Sequence, residues 1–512
     1  MTDSQQIVQG IDPRSGEPAG GGVPQTSAAE LDRVLDAARA AARAFGASPP
    51  GVRTGLLHAL ADLLDGQAAE LAELAGRESG LPQARLTGEV ARTTAQLRLF
   101  AEVIDEGSYL EAAADSADPD AVPPRPQLRR WLEPAGPVLV FAASNFPFAF
   151  SVLGGDTASA LASGCPVVVK AHPSHPALSA AVAGLAARAV AGQGLTAGVL
   201  AVIFGDQPGV DALRDPRIVA AGFTGSTAGG RYLFDVAASR PAPIPFYGEL
   251  GSINPAVVTP AAAAARGAAI AAGFAASMTQ GTGQFCTKPG LLFLPAGHGL
   301  AGELTTALAA VPAAPLLNAR IREQLTEGLA TLAAHPGVTA LHEPGPVPDA
   351  GSWAAPALLR TTAAQLAADP AGLTGEHFGP AALVVEYDGR DDLLAALGAI
   401  EGSLTATVHA EPGEAGVAGL MGVLSGLAGR VIFNGWPTGV AVSWAVHHGG
   451  PWPSTTSAAH TSVGATAIRR WLRPVCYQSI PDELLPEGLR EANPWRLPRR
   501  VDGRLVPGGG SC

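Results

Sequence analysis

Between residues 136 and 247, short apolar runs alternate with alanine-rich stretches, and this alternation restricts the possible folds more than any other feature. Gly136-Pro-Val-Leu-Val-Phe-Ala-Ala reads as a strand buried on both faces, and Pro166-Val-Val-Val-Lys170 as a second. The Ala-rich segment 154–163 between them suits a crossover helix, so the three form a βαβ unit. Further strands at 199–204 and 220–224 extend the series and predict an open parallel α/β sheet. Ligands, dinucleotides among them, bind outside the carboxyl ends of such strands.

Upstream, Ser27-Ala-Ala-Glu30 spells a capping box, and Leu31, Val34 and Leu35 follow with helical spacing. Leu/Ala-faced helices are predicted over 52–76 and 84–106, and the Asp/Pro-rich stretch 115–127 ends that region. Downstream, Pro255-Ala-Val-Val and an Ala-rich helix over 254–275 open a second α/β region, with strands at 290–294, 382–387 and 404–408. The Pro/Gly/Ala-rich interval 297–357 carries no boundaries that can be placed.

The chain has 512 residues, more than one domain usually holds, so at least two domains are expected. Hydrophobic residues make up 47% and charged residues 15%, which suits a compact enzyme. A formal net charge of -12 with no basic run disfavours a phosphate-neutralising surface, so no nucleic-acid partner is expected. The apolar stretches 137–143 and 256–276 are short or mostly alanine, and neither reads as a membrane span. The opening Met1-Thr-Asp-Ser-Gln-Gln has no basic segment followed by an apolar one, and the default expectation is a cytoplasmic location. Cys165, Cys286, Cys476 and Cys512 stand far apart without a CxxC pair, so neither a metal site nor a disulfide framework is expected.

Three residues carry candidate chemistry. Cys286 sits in Gly281-Thr-Gly-Gln-Phe-Cys-Thr-Lys-Pro-Gly290, where glycines permit close backbone approach and Pro289-Gly290 limits helix continuation. A lone cysteine is ordinarily a small buried hydrophobe, so its neighbours decide the matter. Glu249 in Tyr247-Gly-Glu-Leu-Gly-Ser252 lies in a weakly charged stretch, where desolvation would raise its pKa and make it a base. Asn145 follows the first strand in Ser144-Asn-Phe-Pro-Phe148, placed to donate its amide to an oxyanion. After the 220–224 strand, Gly225-Ser-Thr-Ala-Gly-Gly230 is not a GxGxxG fingerprint, but it can present helix N-terminal amides to a pyrophosphate.

Taken together, Ser144-Asn-Phe-Pro-Phe-Ala149, Val169-Lys170, Phe223-Thr-Gly-Ser-Thr227, Gly248-Glu-Leu-Gly251, Gly283-Gln-Phe-Cys286 and Glu376-His-Phe-Gly-Pro380 resemble, in order, the aldehyde dehydrogenase superfamily. The resemblance implies a Rossmann-type cofactor domain, an α/β catalytic domain and a small oligomerisation arm. In this chain those would be 1–119 with 138–248, then 249–466, then 120–137 with 467–512. It implies a nucleophilic thiolate at Cys286, an oxyanion donor at Asn145 and a hydrolytic base at Glu249. Cofactor contacts would come from Lys170, Gly225, Ser226, Gly230, Leu250 and Glu376, with Phe378 packed near the nicotinamide. A homodimer or homotetramer is expected. Relatives that pass the acyl group to coenzyme A generally lack the glutamate, so Glu249 points to a free carboxylic acid. A non-catalytic protein of this fold is disfavoured by the joint presence of Asn145, Glu249 and Cys286.

Family members selective for NAD often carry a glutamate three residues beyond the strand-ending lysine, and here that position is Pro173. Lys170, His172 and Ser174 are left to receive a 2′-phosphate, so NADP is the expected cofactor, with NAD also usable. Within the family the segments Phe141 to Phe150, Lys170-Ala-His-Pro-Ser-His-Pro176, His448-Gly-Gly-Pro-Trp-Pro453, Thr461-Ser-Val-Gly464 and Leu472-Arg-Pro-Val-Cys-Tyr-Gln478 are most similar to 2,5-dioxovalerate (α-ketoglutaric semialdehyde) dehydrogenases. An NADP-linked fatty aldehyde dehydrogenase is the next resemblance. The first implies conversion of 2,5-dioxopentanoate to 2-oxoglutarate. His460 stands where that subfamily has an Arg, leaving Arg469, Arg470 and Arg473 as cations for a substrate carboxylate or for a subunit interface.

Overall fold

The computed structural model of the protein describes residues 6–508; Cys512 and the opening Met1–Gln5 lie outside them. The expected parallel sheet is present, with strands in the order Leu200–Ile203, Val167–Lys170, Val138–Phe141, Ala220–Thr224 and Phe246–Glu249. Both of its faces are covered, which explains the unbroken apolar runs. Val138, Val140, Val167 and Val169 face the helices Pro50–Asp65 and Gln83–Glu106, whereas Leu139, Phe141 and Val168 face the helix Ala28–Gly46. The region expected as one helix over 52–76 is two, Pro50–Asp65 and Ala68–Ser79, broken at Gly66-Gln67. Ser27 caps the first helix by accepting the Glu30 N–H.

A second sheet holds seven strands in the order Thr339–His342, Ala357–Thr362, Ala381–Tyr387, Leu291–Pro295, Pro255–Val258, Ser403–His409 and Ala428–Phe433. All neighbours are parallel except the first pair. The interval 297–357, illegible in sequence, holds helices Ala301–Ala309 and Ala319–Ala333 besides the Thr339–His342 strand. The helix Pro260–Thr279 meets the length and hydropathy of a bilayer span, but its Ile270, Phe274 and Met278 pack against Val258, Leu292 and Val384 of this sheet. The sheet covers in the fold what a membrane would otherwise cover.

The segments expected to form an arm pair antiparallel, Leu128–Pro134 with Leu472–Gln478. Their sheet also recruits Ala113–Asp115, Arg499–Val501 and Arg504–Val506. The strand Ala113–Asp115 therefore belongs with the arm rather than with the segment 1–119 in which the sequence expectation placed it.

Candidate active site

Register in the first sheet gathers most of the expected residues. Phe141 stands opposite both Lys170 and Phe223, and Thr224 stands opposite Glu249, so the carboxyl ends of these strands form one edge. Asn145, Lys170, Ser226 and Glu249 all sit at or just beyond it. Cys286 and Glu376 come from the second region, in loops that precede the strands Leu291–Pro295 and Ala381–Tyr387. The site is thus the seam between the carboxyl edge of one sheet and the amino edge of the other.

The Cys286 loop is held by backbone chemistry that periodicity does not report. Gly281, Thr282 and Gly283 have φ of 56, 57 and 67°, and a Cβ on Gly283 would collide with the Gly379 carbonyl. Asn254, itself at φ 51°, donates its amide to the carbonyls of Cys286 (2.7 Å) and Lys288 (2.9 Å). Asn145 donates to the carbonyl of Gln284 at 3.1 Å, which brings its amide beside the same loop. The Cys286 backbone N–H makes no hydrogen bond among the described residues, so it too is free to donate.

Glu249 is only 2% exposed and lies behind the thiol. His448 Nε2 is 2.9 Å from Glu249 Oε1 and 3.4 Å from Cys286 Sγ, and the Ser462 hydroxyl donates to Glu249 Oε2. Sulfur, imidazole nitrogen and carboxylate oxygen lie within 4.8 Å of one another, a donor set that can also grip a divalent cation. His448 and Ser462 escaped the sequence reading as site residues, although the segments containing them were noted. They arrive on a loop clipped to the Glu249 strand: Leu250 N–H donates to Ser454 O at 2.8 Å and Thr456 N–H to Gly248 O at 3.0 Å. His448 Nδ1 is buried without a partner among the described residues, so the ring meets both Glu249 and Cys286 through Nε2.

Electrostatics correct one expectation. Burial alone would raise the Glu249 carboxyl, but His448 and the Ser462 hydroxyl outweigh it and the net direction is down, so Glu249 is an ionised carboxylate at neutral pH. Burial, reinforced by that carboxylate, pushes the Cys286 thiol well above its ordinary range. Before anything binds, Cys286 is therefore held as the thiol rather than the thiolate.

Cys286 also lines a cleft of about 1120 Å³ with Asn145, Lys170, His172, Ser174, Gly225, Ser226, Leu250, Glu376 and Phe378. Gly230 does not line it; it is buried, and its missing Cβ admits Leu250. Ser226 caps the helix Thr227–Ala238 by accepting the Gly229 N–H, leaving other first-turn amides toward the cleft. His172 Nδ1 accepts the Ser174 N–H at 3.1 Å, which leaves Nε2–H as a donor, and burial holds the ring neutral. Burial raises Glu376 to about 7 against the opposing pull of Lys288. These features fit a dinucleotide: helix amides for phosphates, a lysine and an imidazole donor for a ribose, and a half-buried carboxyl for the other. One feature was invisible in the Lys170 segment. Asp206, from the helix Asp206–Arg214, sits 2.5 Å from Lys170 Nζ, so a carboxylate does reach the place where Pro173 had suggested there was none.

The chain matches the aldehyde dehydrogenase family over residues 1–473. It is 46% identical to alpha-ketoglutaric semialdehyde dehydrogenase 2 of Azospirillum brasilense, covering 98% of this chain and 97% of the relative. It is 42% identical to alpha-ketoglutaric semialdehyde dehydrogenase of Acinetobacter baylyi, covering 94% and 93%. Its fold matches the crystal structure of methylmalonate-semialdehyde dehydrogenase from Oceanimonas doudoroffii with a TM-score of 0.80 at 22% identity, covering 94% and 96% of the two chains. It matches 1-pyrroline-5-carboxylate dehydrogenase from Thermus with a TM-score of 0.79 at 20% identity, covering 93% and 90%. With family and relatives matching across nearly the whole length, the chain belongs to the aldehyde dehydrogenase family and is an NAD(P)-dependent enzyme that oxidises a small-molecule aldehyde.

Proposed function

We propose that the enzyme oxidises 2,5-dioxopentanoate to 2-oxoglutarate, prefers NADP, and works through a thioester on Cys286. The substrate reading is carried by the two semialdehyde dehydrogenases at 46% and 42% identity, matched over more than nine-tenths of their lengths. In this reading Cys286 Sγ attacks the aldehyde carbon. The thiol proton is released to water as the S–C bond forms, beside His448 Nε2 at 3.4 Å from the sulfur. Asn145 Nδ2 and the free Cys286 N–H then donate to the oxyanion, each worth roughly 3–4 kcal/mol in the transition state. Bound in the cleft, the dinucleotide supplies a hydride acceptor. Glu249, ionised and anchored by Ser462, takes a proton from the water that hydrolyses the thioester.

A panel of 2,5-dioxopentanoate, succinate semialdehyde and a long-chain aldehyde, each assayed by kcat/KM with both cofactors, tests the reading. The five-carbon oxoacid should be best; preference for the long-chain compound would sink the substrate assignment.

The NADP preference rests on Lys170, on the His172 Nε2–H and on Arg320, which lines the same cleft. Asp206 works against it, since its carboxylate occupies Lys170 and repels a 2′-phosphate. Its side chain is 80% exposed, so screening keeps the effect modest. Asp206→Asn should raise the NADP-to-NAD ratio of kcat/KM by roughly 3- to 10-fold. A ratio that stays level or falls would place the 2′-phosphate elsewhere.

A further inference from the structure

Cys286 also forms part of the wall of a second cavity, of about 410 Å³, that the dinucleotide residues do not line. One face of the helix Gln83–Glu106 points into it. Arg85, Glu89 and Arg92 are spaced four and then three residues apart, which stacks them along one side of two helical turns. We propose that Arg85 and Arg92 form the subsite for the α-keto carboxylate of the substrate, holding that end while the aldehyde meets Cys286. The proposal rests on the 2,5-dioxopentanoate reading and names what that reading lacked, the cation for the distal carboxylate.

Unused donors are the first support. Arg85 Nη2 donates to Asn145 O at 2.6 Å, but its Nη1 is buried with no partner among the described residues. Arg92 Nη1 donates to Val440 O at 2.6 Å, while its Nε is likewise buried and unpartnered. Buried N–H groups left without acceptors are costly, and both arginines belong to the wall of this cavity, where a carboxylate would supply two acceptor oxygens. Preorganisation is the second support. The Arg85 guanidinium carbon lies 5.0 Å from the Phe146 ring centre and 4.9 Å from that of Phe285, so two aromatic rings hold the planar fork in place.

Charge is the third. Glu89 is the acidic group on the same helix face, but its Oε1 is occupied by the N–H groups of Phe148 (2.8 Å) and Ala149 (3.0 Å), and burial pushes its carboxyl up. Two guanidiniums thus share this helix face with one carboxyl, and Glu249 is a further anion that acts on Arg92. The same burial pushes both guanidiniums down, a penalty that an incoming anion offsets.

The arginines that sequence reasoning had offered are engaged elsewhere. Arg469 pairs with Glu111 at 3.0 Å, Arg470 with Asp156 at 2.7 Å and Arg473 with Glu133 at 3.5 Å, and none of them lines this cavity. His460 is bonded to the Ser457 hydroxyl at 2.8 Å and is not in the cavity wall either.

Arg92 is the cleaner probe, because Arg85 also holds the Asn145 carbonyl. Arg92→Met removes the charge and keeps the length, and Arg92→Lys restores a cation. For the holoenzyme, the ratio of kcat/KM on 2,5-dioxopentanoate to that on pentanal should fall by at least about 30-fold in R92M and recover in part in R92K. An unchanged ratio in R92M overturns the proposal. A second readout does not depend on the substrate: 2-oxoglutarate should protect Cys286 from iodoacetamide in the unaltered enzyme, and about tenfold less tightly in R92M. If the unaltered enzyme prefers pentanal but Arg92-dependent protection persists, the substrate reading fails and the carboxylate subsite stands. Protection that is absent, or equal in R92M, overturns the subsite itself.

Discussion

Replacing Cys286 with alanine should abolish aldehyde oxidation, by at least about 10⁴-fold in kcat/KM, while dinucleotide binding survives. Without a nucleophile the aldehyde carbon never becomes tetrahedral, and a planar aldehyde has no hydride ready to leave. Neither His448 nor Glu249 can substitute, because both are buried behind the sulfur and engaged with each other. The cleft should be unaffected. Lys170 is held by a sheet strand, and Ser226 by its helix cap, neither of which depends on Sγ. Titrating C286A with NADP and following the quenching of tryptophan fluorescence separates the two effects. Turnover near that of the unaltered enzyme would refute the nucleophile assignment.

Glu249→Gln should split the reaction. A burst of reduced cofactor, stoichiometric with enzyme, should remain, while steady turnover drops about 10²- to 10³-fold, because thioester hydrolysis loses its base. Electrostatics adds a second outcome with a definite sign. The Glu249 charge raises the Cys286 thiol, so removing it lowers the thiol pKa and increases the thiolate fraction at any fixed pH below that pKa. Iodoacetamide should therefore alkylate Cys286 faster at pH 8 in E249Q than in the unaltered enzyme, although the variant turns over more slowly. In the unaltered enzyme the alkylation rate should still be climbing above pH 9. Loss of both the burst and the steady phase, or slower alkylation, would count against this division of roles.

Much of this is legible in the amino-acid sequence alone. Strands buried on both faces and crossover helices have local signatures, since apolar runs and helical spacing are written within a dozen residues. Hence four strands of the first sheet, the helix Gly155–Ser163 and the strand Ala381–Tyr387 fall where the pattern expects them, whereas the edge strand Phe246–Glu249 was not anticipated. Cys286, Glu249 and Asn145 were legible by a different route, as short ordered motifs resembling a family. The interval 297–357 was not legible, because its Pro and Gly residues interrupt periodicity and its strands, two to four residues long, are too short to show an alternation.

What the sequence by itself determined, then, is the α/β architecture, the family and the three residues to which we assign the chemistry. Only the tertiary structure decided how they act on one another. His448 reaches Glu249 across 199 positions, Ser462 across 213, and Lys170 meets Asp206 across 36. No local pattern encodes such pairings, because the first two depend on how the two sheets are set edge to edge and the third on which strands of the first sheet are neighbours. The same long-range contacts reverse the pKa expected for Glu249: desolvation can be guessed from apolar neighbours in sequence, but a compensating hydroxyl and imidazole cannot. Arg85 and Arg92 make the point most plainly. On a helix they read as ordinary surface charges, and they become a candidate carboxylate site only because the fold buries that face against Phe146, Phe285 and the thiol.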